Sequence, residues 1–490
     1  MNALPVRRHP LTLTPDSLRV IIRSFIPSAP QSISNIIRRV LALSEDEVKR
    51  EKHEFHNNFD GRHYDIEASL LEVFKKVQLH IPEKHQISYA RKILIGAYFS
   101  GEYALESAAL FNPSIVPHPN QEGLPEGSLH FVMSLRATGE GHISSIEFRT
   151  GTISSDCKIN LDTASRFVAA SKISINPRYL KNCFVLKLRE MGYYNRHAES
   201  ILEPLADEFT LSELNEIVGT VRHENQPSSH ELTRTLECIQ WLADSNYELS
   251  FPKELSMSER IIFPSTSNES NGIEDARFVR FVEDDGSEMY YATYTAFNGR
   301  AILPMLLETE DFLNFRVLTL NGNAVQNKGM ALFPRRINGL YAMLSRQDDE
   351  NILIMFSDNL HYWNDPEVLL RPAEPWESVK IGNCGSPIET EDGWLVITHG
   401  VGAMRKYCIG VALFDLDDPT IIIGRLTQPL LCAEGMEREG YVPNVVYSCG
   451  SLVHQGHLIV PYAASDRNTA FASVPLDALI AALRQGHVPE

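Results

Sequence analysis

LHFVMSLR at 129–136, EMYYATY at 288–294, LYAMLSR at 340–346, WLVITH at 394–399 and HLIVPY at 457–462 are five versions of one pattern. Each alternates apolar residues with others, the period of a β-strand, and each ends on a polar or aromatic side chain. Each is followed, after a short turn or loop, by a second apolar strand: ISSIEF, AILPMLLE, ILIMFS, YCIGVALFD and FASVPL. The first strands recur about every 50 to 60 residues, apart from one longer gap, and a repeat of that size made of several strands is the signature of propeller blades. Five copies predict a mainly β chain folded as a five-bladed β-propeller.

Outside the repeats the pattern is helical. Residues 1–110 read mostly as helix and form an N-terminal extension; Ser44-Glu45-Asp46-Glu47 is a capping box, and Leu70, Leu71, Phe74 and Val77 keep an apolar face. Residues 111–159 are the first blade. Residues 160–248 are a helical insertion, with a second capping box at Thr210–Glu213 and a face of Leu232, Leu236, Ile239 and Leu242. Residues 249–490 hold the remaining blades and a short closing helix near 477–484. The helical segments are read as caps over the site mouth or as surfaces of a homo-oligomer.

Residues at equivalent ends of propeller strands converge on one mouth. Arg136, Tyr294, Arg346, His399 and Tyr462 hold that place in the five repeats, which predicts a pocket for a polar ligand. Taken singly, each reads better as a strand end facing solvent; the shared repeat position of all five favours the pocket.

Three local groups carry candidate chemistry. Asn271-Gly-Ile-Glu-Asp-Ala-Arg277 precedes the apolar run FVRFV, so a tight loop sets acids at the rim of a sheet. A carboxyl group in a partly desolvated pocket keeps a proton near neutral pH and can deliver it to a leaving oxygen. Glu274 and Asp275 can do this, with Arg277 orienting the loop; an ordinary acidic turn is the plain alternative. Lys328, Arg335, Arg336, Arg346 and His399 form a basic set, and the arginine fork matches phosphate geometry. Scattered surface charge is the other account, above all for Arg335 and Arg336. Glu389, Glu437 and Glu439 are candidates for a base acting on water, or plain turn acids.

Composition narrows the field. With 43% hydrophobic and 22% charged residues the chain is globular in character, and a net charge of −18 argues against sequence-independent nucleic-acid binding. No run approaches the ~20 apolar residues of a membrane span, and the first 30 residues lack a continuous apolar stretch of a secretory signal. Seven cysteines without a C-x-x-C read as free thiols in a reducing compartment, and no structural metal site is expected.

At these motifs the chain resembles glycoside hydrolase family 130, the β-mannoside phosphorylases and β-mannosidases, over roughly 111–149 and 251–479. Asn112-Pro113 and the Arg136 strand resemble the family's first blade, and Gly272-Ile-Glu-Asp-Ala-Arg277 its G-x-E-D-P-R. Leu332-Phe-Pro334 and Ile337-Asn-Gly-Leu-Tyr341 resemble its L-F-P and I-x-G-x-Y. Gly393-Trp394, His399-Gly-Val401 and Asp415-Leu-Asp-Asp-Pro419 follow in order, then Val442-Pro-Asn444, Cys449-Gly450 and Tyr462. Departures are Ala276 in place of proline, Glu389 where many phosphorylases carry lysine, and Gly329 in place of aspartate.

The resemblance implies a five-bladed propeller that inverts at the anomeric carbon, with Asp275 as general acid. It implies that Arg346, His399 and Tyr462, with Lys328, hold inorganic phosphate, and that Asn112 and Arg136 hold the glycone mannose, with Glu274 and Tyr294 beside them. The expected reaction is phosphorolysis of β-mannosides to mannose 1-phosphate. A β-mannosidase using Glu389, Glu437 or Glu439 as base is the second reading, and a non-catalytic glycan- or protein-binding propeller the third. The expected partners are a small oligosaccharide and phosphate as co-substrate. No metal or organic cofactor, nucleic acid or membrane is expected, and the location is cytoplasmic.

Overall fold

The computed structural model describes residues 4–82, 86–224 and 229–486; the outer ends of the first and last segments lie outside the described residues. The fold is mainly β. Five sheets of four or more strands follow one another along the chain. The first runs Ala109–Pro117, Leu129–Thr138, Ser144–Ile153 and Arg260–Ile262. The second runs Gly272–Val282, Glu288–Phe297, Ile302–Thr309, Asn314–Thr319 and Tyr247–Ser250. The third is Ala331–Leu332, Tyr341–Ser345, Ile352–Ser357 and Glu367–Leu370. The fourth is Lys380–Asn383, Gly393–Val401, Tyr407–Phe414 and Ile422–Arg425. The fifth is Val446–Tyr447, His457–Ala464, Asn468–Pro475 and Arg7–Leu13.

Alternation gives each sheet apolar faces, and each face is buried against the next sheet. Val132 and Phe148 of the first sheet pack with Phe278 and Phe315 of the second. Phe281 and Tyr291 pack with Met343 and Met355 of the third, and Leu344 and Ile354 with Trp394 and Val396 of the fourth. Leu395 and Ile409 pack with Leu458 and Val460 of the fifth. Phe131 and Met133 of the first sheet then meet Ile459 and Phe471 of the fifth.

The helices form two bodies outside the sheets. Near the N-terminus α1 (Pro30–Leu41), α2 (Glu45–Phe59), α3 (Ile66–Val77) and α4 (Tyr89–Tyr98) share a core of Ile37, Val48, Phe74 and Ile95. The capping box at Ser44 forms: Glu47 N–H donates to Ser44 Oγ and Ser44 N–H to the Glu47 carboxylate. In the insertion, α5 (Lys181–Glu190), α6 (Arg196–Leu202), α7 (Leu211–Glu224) and α8 (His230–Ser245) enclose a core of Phe184, Leu188 and Leu236. Helix α9 (Leu476–Gln485) is the last element among the described residues. Among the described residues no helix is long and apolar enough to cross a membrane.

Several local expectations are corrected. Residues 1–110 are not helical throughout: Arg7–Leu13, Val20–Ser24 and Ser100–Ala104 are strands. Arg7–Leu13 pairs with Asn468–Pro475, so the far end of the chain supplies the partner that makes it a strand. Its Pro10 already speaks against helix. The segment 160–248 also contributes strands, with Tyr247–Ser250 on the second sheet, and Arg260–Ile262 returns to the first sheet. The cysteines are not all free. Cys408 and Cys432 stand opposite each other on paired strands, with Cα atoms 4.6 Å apart, and form a disulfide. Five free cysteines remain. Counting residues could not reveal this, because the two half-cystines meet only through strand pairing, and the premise for a reducing compartment falls with it.

Phe148 is fully buried, with ring centroids 5.9 Å from Phe278, 5.7 Å from Phe312 and 6.1 Å from Phe315. Phe148→Ala should remove about 3–5 kcal/mol of stability through the cavity it leaves, measured by urea unfolding of the whole chain.

Candidate active site

Two matching bulges build the site. The edge strand of the first sheet loses register between Phe111 and Ser114, and that of the second between Glu274 and Arg277. An extra residue in a strand bends it and re-aims side chains. Asn112 and Asp275 sit in these bulges with φ of 50° and 56°, a left-handed region that asparagine and aspartate tolerate better than most residues. The bulges bring them together: Asn112 Nδ2 donates to Asp275 Oδ1 at 2.7 Å.

A cation chain surrounds this pair. Arg136 reaches Asp275 Oδ1 at 3.3 Å and Glu274 Oε1 at 2.8 Å. Lys328 donates to the other oxygen of Glu274. Arg277, 2% exposed, donates to the Asp275 carbonyl at 3.3 Å and to the Tyr447 hydroxyl at 2.6 Å. Burial pushes the Asp275 carboxyl up, but Arg136, Arg277, Lys328 and the Asn112 hydrogen bond outweigh it and hold its pKa below the usual value. Asp466, across from it, is pushed up to about 6 by burial and by the charge of Asp275.

Arg346 and His399 complete one wall. Arg346 Nη1 lies 3.1 Å from His399 Nε2, and His399 Nδ1 lies 3.3 Å from the Asn383 carbonyl. A guanidinium can only donate, so Nε2 accepts and Nδ1 carries the proton. Burial, then Arg346 and Arg277, hold the imidazole pKa well below its ordinary value, in accord with a neutral ring. The ring fits because residue 382 is glycine: a Cβ there would lie 2.4 Å from His399 Cε1.

Asn112, Arg136, Asp275, Lys328, Arg346 and His399 line one cavity of about 400 Å³. That is within the ~300–1,000 Å³ of small-ligand sites. Asn112 Oδ1 and the Nε atoms of Arg136, Arg277 and Arg346 are buried without a hydrogen-bond partner in the protein. Buried polar atoms are normally satisfied, so these favour a polar, oxygen-rich ligand.

Other predicted residues lie elsewhere. Tyr294 is buried and donates to Glu269 at 2.7 Å, and Tyr462 donates to Glu437 at 2.5 Å. Both belong to cores between sheets. The cause is a one-residue slip, which turns a strand residue to the opposite face. Arg136 pairs with Phe111, just before the first bulge; the residue paired with Glu274, just before the second, is Thr295. Glu389 is bound to Arg335 at 2.9 Å, Arg336 lies beside Glu283, and Glu439 is exposed. None of these lines the cavity.

Sequence reading missed Tyr447, Asp466, Lys380, Arg405 and Tyr407, which do line it. Tyr447 ends the edge strand of the fifth sheet, whose two residues are too few to show a period. Asp466 and Arg405 lie in turns with positive φ, where strand patterns end.

The cavity can hold an oxyanion against Arg346. Inorganic phosphate should bind at one site by isothermal titration, and Arg346→Ala should weaken it about tenfold or more, as loss of a charge-assisted hydrogen bond does.

The chain is similar to several known proteins. Residues 242–485 match the model of glycoside hydrolase family 130, described as beta-1,4-mannooligosaccharide phosphorylase. A 1,2-beta-oligomannan phosphorylase of Thermoanaerobacter sp. is 37% identical over 216 residues, 43% of this chain and 71% of that protein. A beta-1,2-mannobiose phosphorylase of Listeria innocua is 32% identical over 229 residues, 45% of this chain and 62% of that protein. The solved structure of beta-1,2-mannobiose phosphorylase from Listeria innocua, in complex with beta-1,2-mannobiose, covers 83% of this chain and 96% of that one. Its identity is 19% and its TM-score 0.47.

Proposed function

Because the chain belongs to glycoside hydrolase family 130, we propose that it is an inverting phosphorylase of β-linked manno-oligosaccharides, with inorganic phosphate as co-substrate and mannose 1-phosphate as product. The observation that carries this reading is one cavity in which Asp275 faces Arg346 and His399. The five sheets are read as five blades of a β-propeller. Support comes from the succession of inter-sheet cores, which returns from the fifth sheet to the first.

In this reading Asn112, Arg136 and Glu274 hold the glycone mannose. Arg346, neutral His399 and Lys328 hold phosphate, and Tyr447 takes the place expected of Tyr462. Phosphate attacks the anomeric carbon from the face opposite the leaving group, the bond from that carbon to the glycosidic oxygen breaks, and Asp275 gives its proton to that oxygen. The proton on hydrogen phosphate then returns to Asp275, so the balance closes. Asp275 is held ionised in the free site, whereas a bound phosphate anion disfavours its charge and raises its affinity for a proton. Binding of the co-substrate thus arms the acid.

The hydrolase reading lacks its named bases, because Glu389, Glu437 and Glu439 stand outside the cavity. Asp466 is a carboxylate inside it that such a reaction would require. A cytoplasmic location goes with phosphorolysis, since an anionic sugar phosphate is retained behind a membrane.

Incubation with β-mannobioses of defined linkage, β-1,2 first, should give mannose 1-phosphate only when phosphate is present. Free mannose at equal rates with and without phosphate would instead mark a hydrolase, and no product from any linkage a binding protein. Asp275→Asn should lower kcat about 10²–10⁴-fold, the usual worth of a positioned acid, while Glu389→Gln should leave it near wild type.

A further inference from the structure

We propose that the cleft between α2, α3 and α4 is a second ligand site, for an organic cation with an apolar body. The cleft has a volume of about 440 Å³ and shares no residue with the cavity around Asp275. It also lies outside the residues matched by the family model, so that match assigns it nothing.

Its lining combines two features. The first is aromatic and apolar: Phe55 and Phe59 stack with centroids 5.0 Å apart and planes 26° apart, Tyr98 stands half exposed, and Leu70 is at the floor. An aromatic face attracts a cation through its quadrupole, and more strongly when the cation is partly desolvated. The second is negative charge at the rim. Glu51 and Glu54 stand at the rim of the same cleft, and no ion pair reaches either among the described residues. The neighbouring lysines of α2 are engaged elsewhere: Lys49 lies 3.8 Å from Asp46, and Lys52 lies 2.6 Å from Glu67. Glu102, which also lines the cleft, is already paired with Arg62 and in contact with His63, each 2.8 Å away.

Charge complementarity selects the occupant. A neutral apolar ligand would leave Glu51 and Glu54 unanswered, and an anion would be repelled by them. An arylalkyl ammonium places its apolar body over Leu70 and its charge at the faces of Phe55 and Phe59, beside the two carboxylates. Small-ligand sites have this make-up, mostly apolar with a few polar groups that fix orientation.

Isothermal titration of the whole protein with 4-phenylbutylammonium and with uncharged 4-phenylbutanol tests the site. The ammonium should saturate one site and bind about tenfold tighter than the alcohol, the scale of a partly desolvated cation on aromatic rings. The double variant Glu51→Gln/Glu54→Gln, on the surface of α2, should reduce that difference, and Phe59→Ala should weaken both probes. Equal affinity for the two probes, an unchanged preference in the double variant, or no saturable binding overturns the proposal. Catalysis plays no part in this readout, so the outcome is separate from that of the proposed function.

Discussion

The hydrogen bond from Asn112 to Asp275 spans the joint between the first two sheets, and the site is organised around it. Neither residue could make it from a regular strand. Each needs an added residue that bends its strand and a backbone conformation with positive φ. Such conformations cost energy and persist where the surroundings over-determine them. Here the surroundings are Arg136 and Arg277, which grip Asp275 from two sides, and a packed aromatic core behind the second sheet. The same constraint explains why Ala276 is tolerated where the family's motif has proline. The bend comes from the bulge and its partners, not from a ring that locks φ.

Charge at the site runs against the charge of the chain. The protein carries a net −18, yet Arg136, Arg277, Lys328, Arg346 and Lys380 gather at one mouth. Several have acidic companions, Glu274 for Arg136 and Lys328 and Asp349 for Lys380. Buried cations without such companions would carry a heavy desolvation cost. The companions leave some donors free, and the buried Nε of Arg346 is one. His399 contributes as a neutral ring in this field, because three cations near it oppose its protonation. An anion entering the cavity would reset these balances and, in the proposed reaction, would link its own binding to the protonation of Asp275.

Strands from the first and last parts of the described residues are paired in one sheet. Arg7–Leu13 adds a strand beside Asn468–Pro475, with Leu11 and Leu13 against the core between the fifth and first sheets. Nearby, Arg19 joins Glu106, Glu147 and Arg149 in a buried ion network that fastens the N-terminal segment to the first sheet. The Cys408–Cys432 disulfide clips the fourth sheet one residue from Tyr407, which lines the cavity. The N-terminal helices and the insertion have cores of their own.

What sequence alone determined is whatever repeats or is local. Alternation over Leu129–Thr138, Glu288–Phe297 and the later strands showed the sheets, and Ser44 and Thr210 marked two helix starts, because both signals depend only on neighbours in the chain. The motif around Asp275, and the positions of Arg136, Arg346 and His399, were legible for the same reason, whereas Asn112 came from the family resemblance. Facing was not. Tyr294 and Tyr462 share the repeat position of Arg136, yet they turn into cores, since one residue of register decides the side of a sheet. Tyr447, Asp466 and the Cys408–Cys432 bond were settled by pairing between strands far apart in sequence. Only tertiary structure brings such partners within reach of one another, because no local pattern encodes a contact between segments that lie far apart along the chain.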